Sequence, residues 1–378
     1  MFPLLLENFD EVVAIYTKEA KNKQEEVIKN EGLTYKFNSK YFISNENDFD
    51  MAFKVINRAI DESNEDFIVD LSHGFRHLPI LAIISILSQN LQNSIKIKHI
   101  FFAKEIIKFK EYEIIDLKEF LDIANLSFIL ENFNQNYTLT KIEFKNEAYN
   151  ALAKGLENLS HNILSNSIQN LYKEKLLKST LNSLEQISKN ELFDCFSSNI
   201  DNTINHLNYL LSLEKDPTYI RLYKFSKDLA SKGYILNATT IFYEAAGIYS
   251  IQVVSNSSSE VKRLLQKFYK SETRNKDYLL SNFCYSFIKN GQVNRKNKRI
   301  EKVLSYKFDK AIRDYLNLKP NYKKLKRFYK DLDSFRNNLA HANSGEIIED
   351  PYEKLNSFLE SFGKFISSDF DKKDKNVL

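Results

Sequence analysis

Glycine is scarce in this sequence, with 8 among 378 residues. That is about 2%, against a typical ~7%. The closest pair, Gly233 and Gly247, lies 14 residues apart. A G-x-G-x-x-G dinucleotide fingerprint and a G-x-x-x-x-G-K phosphate loop are therefore excluded. Only 5 prolines are present, and together these shortages predict long helices and few tight turns. Cysteine is scarcer still. Cys195 and Cys284 stand 89 residues apart, so there is no C-x-x-C motif and no disulfide framework, as suits a reducing cytoplasm. No H-E-x-x-H occurs. The N-terminus, Met1 to Glu7, has no basic n-region, which argues against a signal peptide. The longest apolar run, Leu78 to Leu87, is broken by Pro79 and Ser85 and is far short of the ~20 residues that span a bilayer. A cytoplasmic protein without membrane contact is expected.

What remains is ordinary in amount and uneven in placement. Hydrophobic residues make up 43% and charged residues 28%, a balance that can build a core and argues against disorder. The length suggests two or three domains. The net charge of +4 conceals an asymmetry. Residues 261–330 hold 21 Lys and Arg against 5 Asp and Glu, a local charge of +16 that leaves −12 for the rest. Basic and aromatic residues interleave there, as in Lys267-Phe268-Tyr269-Lys270 and Lys323-Lys324-Leu325-Lys326-Arg327-Phe328-Tyr329-Lys330. Clustered cations attract polyanions and release their counterions. Composition alone does not separate such a face from a solvated helix surface.

The first 120 residues alternate in character. Glu11 to Thr17, Phe67 to Leu71, Ile95 to Ala103 and Glu111 to Leu117 read as strands. Asp50 to Ser63 and Pro79 to Leu91 read as helices. Strand, helix and strand at this spacing predict a parallel sheet with helices on both faces. From Leu117 onward apolar residues recur at three- and four-residue steps, which predicts helix almost throughout. The expected domains are residues 1–120, a helical linker region 121–225 and a helical domain 226–378.

Two motifs carry chemistry. Asp70-Leu71-Ser72-His73-Gly74-Phe75-Arg76-His77-Leu78-Pro79 begins at the carboxyl end of a strand and leads into a helix. Ligands of open α/β sheets bind outside such strand ends. Gly74 permits close backbone approach, helix N–H groups suit a phosphate, and Ser72, His73 and Arg76 add donors. An ordinary strand-to-helix turn would read the same way. His73 and His77 lack a third ligand, so no metal site is expected.

The second motif is Arg336-Asn337-Asn338-Leu339-Ala340-His341, an R-x-x-x-x-H. It closes a helix with an apolar stripe of Tyr322, Leu325, Phe328, Tyr329, Leu332, Phe335 and Leu339. Asn343-Ser344-Gly345 reads as the helix stop, which puts His341 in the last turn beside Asn337. RNA cleavage without a metal needs three things. The 2′-OH must lose a proton, the leaving 5′-oxygen must gain one, and the phosphorane charge must be neutralised. An imidazole near a guanidinium can do this, although R-x-x-x-x-H also recurs by chance.

The two motifs together resemble the CRISPR-associated CARF–HEPN ribonucleases of type III systems. The resemblance implies an α/β plus all-α architecture, with an N-terminal Rossmann-like CARF sensor followed by a helical HEPN domain. It implies a homodimer in which cyclic oligoadenylate, as allosteric activator, switches on metal-independent cleavage of single-stranded RNA. Ser72, His73, Gly74, Phe75 and Arg76 match the sensor's ligand motif, and Arg336, Asn337 and His341 match the nuclease motif. Sensors of this family open with a strand and turn. Here Phe2 to Leu6 already reads as the following helix, so the first strand is missing and is expected in frame upstream of Met1. The alternative function is a sensor–regulator that binds RNA without cutting it. A nucleotide-cofactor oxidoreductase is disfavoured by the absent glycine fingerprint.

Overall fold

The computed structural model describes residues 2–45, 47–63, 66–72, 77–90, 97–108, 110–173, 175–271, 276–291, 306–319, 321–341 and 347–367. The chain forms two compact units. One comprises Met1–His161 with Lys175–His206, and the other Asn162–Glu174 with Leu207–Leu378. The boundaries expected at residues 120 and 225 do not coincide with this division, because the chain passes between the units inside the long helices Glu147–Leu164 and Ser197–Ser212.

The first unit opens with α1 (Phe2–Asn8), as expected, followed by α2 (Lys18–Asn30) and α3 (Phe49–Asp61). Thr17 and Asp48 start the last two by accepting from the backbone N–H of Ala20 and Met51, as N-cap residues do. Then come β1 (Phe67–Asp70), α4 (His77–Asn90), β2 (Ile97–Ile107) and β3 (Glu111–Asp116). β2 lies between the other two strands, parallel to β1 and antiparallel to β3. The sheet is therefore mixed and not wholly parallel. Only residues 108–110 join β2 to β3, which makes a hairpin, whereas a parallel return needs a crossover of a dozen or more residues. The sheet's core unites Leu71, Ile86, Ile97, Ile100 and Leu121, with Ile60 of α3 packed against it.

The strand expected over Glu11–Thr17 does not form. Among the described residues its sheet pairing is confined to a single parallel bridge from Tyr16 to Phe42. The reason lies in a side chain. The Tyr35 hydroxyl accepts from Ala14 N–H at 3.0 Å and donates to Val12 C=O at 2.8 Å, taking over groups a neighbouring strand would have satisfied.

The rest of the first unit is helical and includes α5 (Lys118–Asn136), α6 (Glu147–Leu164, as far as His161), α8 (Leu176–Ile187) and the start of α9 (Ser197–Ser212). The second unit contains α7 (Ile168–Lys173), α10 (Thr218–Ser231), α11 (Ile235–Ser255), α12 (Ser259–Ser271), α13 (Lys276–Asn290), α14 (Tyr306–Asn317), α15 (Tyr322–Ala340) and α16 (Pro351–Ile366). α11 is apolar nearly all round, from Ala238 to Ser255, and such a helix belongs at the centre of a bundle. α10, α13, α15 and α16 pack around it. The loop expected near residues 254–259 is found between α11 and α12. Among the described residues no helix is long and apolar enough to cross a membrane.

Candidate active site

The first motif lies at the end of β1. Leu71 continues the ladder by donating to Phe101 C=O at 2.8 Å. Asp70 Oδ1 accepts from the Ser72 backbone N–H at 2.9 Å and from the Ser72 hydroxyl. That hydroxyl in turn accepts from Ala103 N–H of β2 at 2.8 Å. Its one proton is thus engaged and one lone pair is taken. Ser72 pins the strand-end turn to the neighbouring strand and has no proton left to offer a ligand. His73, Gly74, Phe75 and Arg76 lie outside the described residues. His77 opens α4, with its ring edge-on to Phe49 at 4.9 Å.

The second motif is carried by α15. Its stripe is buried through Tyr322, Leu325, Phe328, Tyr329, Leu332 and Phe335, and Leu339 is half-buried. Two tyrosines fix the helix in place. Tyr329 donates to Ala246 C=O of α11 at 2.7 Å, and Tyr285 of α13 donates to Tyr329 C=O at 2.8 Å. The apolar stripe turns the intervening polar positions outward, and Arg336 and Asn337 come together there. Arg336 Nη1 donates to Asn337 Oδ1 at 3.1 Å. The guanidinium carbon lies 5.6 Å from the ring centre of Tyr243 on α11, a cation–π contact. Among the described residues no other protein acceptor meets Arg336, which leaves most of its five N–H donors unengaged by them.

His341 differs from the expectation. It is not in the last turn but ends the helix, with φ −114° and ψ 106°. Its N–H donates to Asn337 C=O at 3.1 Å, and its side chain is exposed. No hydrogen bond joins its ring to Arg336 among the described residues. Asn343, Ser344 and Gly345 lie outside them.

Tyr243, the ring under Arg336, leads to two further charged side chains. Asp333, one turn earlier on α15, accepts from the Tyr243 hydroxyl at 3.2 Å and is bonded by Lys289 Nζ of α13. Burial, followed by the charge and hydrogen bond of Asp333, pushes the Tyr243 phenol up to about 12. It therefore stays protonated and donates. The D-x-x-R spacing of Asp333 and Arg336 was open to sequence reading. Tyr243 and Lys289 come from other helices and left no local signal.

The basic stretch divides by side-chain type. Phe268, Phe328 and Tyr329 are core residues, not stacking platforms. Arg263, Lys267 and Lys270 of α12 and Lys323, Lys324, Arg327 and Lys330 of α15 are exposed. The run at 295–299 lies outside the described residues. No group of three or more His, Cys, Asp or Glu suited to a metal ion occurs among the described residues.

Residues 5–106 match the family model of the CARF domain of the CRISPR system endoribonuclease Csx1. This supports a CRISPR-associated, CARF-containing protein. The match runs from α1 to nearly the end of β2 and takes in the whole strand-end motif. A CARF domain implies cyclic-oligoadenylate sensing in type III CRISPR defence. The helical second unit lies beyond the match. No curated protein matches the chain.

Proposed function

We propose that the protein is a cyclic-oligoadenylate-activated, metal-independent endoribonuclease acting on single-stranded RNA, with a HEPN-type domain in its helical half. The observation that carries this reading is Arg336. Its guanidinium rests on an aromatic ring near a helix end, with most donors unengaged by the described residues, and an exposed histidine closes the same helix. A planar guanidinium suits two phosphate oxygens at once. His341 takes the proton of the 2′-OH, and the 2′-oxygen attacks phosphorus. The bond to the 5′-oxygen breaks, and that oxygen takes up a proton from an imidazolium. The products are a 2′,3′-cyclic phosphate and a 5′-hydroxyl. Arg336 neutralises the pentavalent intermediate, and Asn337 orients Arg336.

One imidazole base and one imidazolium acid are supplied together if two copies of the chain meet. α4 supports a homodimer. Ile80, Ile83, Ile84 and Leu87 form a stripe at helical spacing that stays 38% to 59% exposed, and α4 holds no Asp, Glu, Lys or Arg. An uncovered apolar helix face of this kind fits a second copy of itself. Cyclic oligoadenylate is the activator, received at the strand-end motif through His73, Gly74, Phe75 and Arg76, with Ser72 positioning the turn.

The test is a pair of variants. His341→Ala is expected to lose ~10²–10⁴-fold in RNA cleavage while its thermal unfolding stays unchanged. Arg336→Lys is expected to be severely impaired although it keeps the charge. Near-wild-type cleavage by His341→Ala overturns the assignment. The RNA-binding regulator reading instead predicts ligand-dependent RNA binding without turnover in any variant.

A further inference from the structure

Asp333 and Arg336 are three residues apart on α15, a spacing at which an acid and a base on one helix ordinarily pair. They do not pair here. Asp333 has both oxygens occupied from other helices, Oδ1 by the Tyr243 hydroxyl at 3.2 Å and Oδ2 by Lys289 Nζ. The ion pair is half-buried, with side-chain exposures of 29% for Lys289 and 22% for Asp333. Arg336 is held by a different kind of force. It lies on the face of Tyr243, the same residue whose hydroxyl holds Asp333. The ring keeps the guanidinium in place without consuming its N–H donors.

We infer that Lys289 is a positioning residue that keeps Asp333 from capturing Arg336, so that the guanidinium stays free to bind a phosphate of the RNA backbone. The inference rests on the ribonuclease reading for its substrate. Without Lys289 a half-buried carboxylate would lose its cation, and Arg336, one turn away on the same helix, is spaced to take its place. Rotating Arg336 onto Asp333 would satisfy the carboxylate and remove the guanidinium from the site. Tyr243 contributes to both halves, with its hydroxyl on Asp333 and its ring under Arg336.

The experiment measures affinity for a fully 2′-O-methylated single-stranded RNA, which cannot be cleaved, by fluorescence anisotropy with the full chain. Lys289→Met is expected to weaken binding on the order of tenfold, the scale of one charge-assisted hydrogen bond, and to match Arg336→Ala. Adding Asp333→Asn to Lys289→Met is expected to restore wild-type affinity, and Asp333→Asn alone is expected to bind as wild type. Lys289→Ala, which likewise removes the donor to Asp333, serves if Lys289→Met does not fold, and thermal unfolding of each variant reports that. A merely structural ion pair would lower stability and leave affinity unmoved. Wild-type affinity in folded Lys289→Met, or no recovery in the double variant, overturns the inference. Cleavage of unmodified RNA is followed in parallel. A wild-type protein that binds in this pattern but does not cut overturns the ribonuclease reading and upholds the role of Lys289.

Discussion

Asp116, at the end of β3, shows how much one carboxylate can tie together. His99 Nδ1 of β2 lies 2.7 Å from its Oδ2, and Lys145 Nζ lies 3.2 Å from the same oxygen. The backbone N–H groups of Ile100 and Lys118 donate to Oδ1 at 3.2 and 3.0 Å. Burial alone would raise this carboxyl, but the hydrogen bonds from His99, Lys118, Ile100 and Lys145 outweigh it and hold it at about 2, below the ordinary 3.8. A folded-state value below the unfolded one contributes stability that is present above about pH 4 and is lost as pH falls from there towards about 2. Asp116→Asn is therefore expected to cost about 1 kcal/mol at neutral pH, a modest figure because the group is partly solvated. The difference from wild type should shrink on acidification through that window, as read by thermal unfolding at a series of pH values. None of this was legible in the sequence, since the partners come from separate elements. Ser72 is a second case. Its place in the ligand motif was visible, but the Ala103 N–H that occupies its hydroxyl comes from 31 residues away.

At the scale of elements, period and burial agree in the helical half. The stripe of α15 is buried nearly as its spacing predicts, and so Arg336 and Asn337 could be placed from sequence. The failures have local physical causes. Glu11–Thr17 has the composition of a strand but finds Tyr35 where a strand should be. β2 extends beyond Ala103 because its hairpin with β3 continues the ladder to Ile107. Helix packing also depends on residues that sequence cannot weigh. A Cβ on Gly155 of α6 would stand 2.8 Å from Thr180 Oγ1 of α8. That hydroxyl is itself anchored by donating to Leu176 C=O at 2.9 Å, so it does not yield freely. Gly155→Ala is expected to destabilise by roughly 1–3 kcal/mol through overpacking. Thr180→Ala in the same chain should recover part of the loss in thermal unfolding. An unchanged midpoint for Gly155→Ala would show that the two helices can separate at no cost.

For the whole molecule, the distribution of charge and of uncovered apolar surface governs what it meets. The helical unit carries exposed cations on α12 and α15, while Phe268, Phe328 and Tyr329 between them are committed to the core. Neutralising Lys323, Lys324 and Arg327 together is expected to weaken RNA binding and flatten its salt dependence, by roughly 0.7 in the log–log slope for each phosphate no longer neutralised. An unchanged slope would make these cations a solvated surface only. For the homodimer proposed through α4, wild type is expected to sediment as a dimer and Ile80→Glu with Ile84→Glu as a monomer, and a variant that sediments as wild type would contradict that pairing. The change in periodicity near Leu117 marks where the sheet gives way to helices and not where the two units divide. The sharing of residues 162–206 between units was not legible, because every helix there is amphipathic and the sequence does not say against what. The proposed function depends on occupation of the CARF domain turning on RNA cleavage in the helical half. The deciding experiment follows cleavage of a single-stranded RNA in EDTA across a panel of cyclic oligoadenylates of different ring size. One ring size is expected to raise the rate strongly, and His341→Ala to abolish the response while still binding that ring. Absence of cleavage with a ring that demonstrably binds, or equal cleavage with and without it, would contradict the coupling of sensor to nuclease.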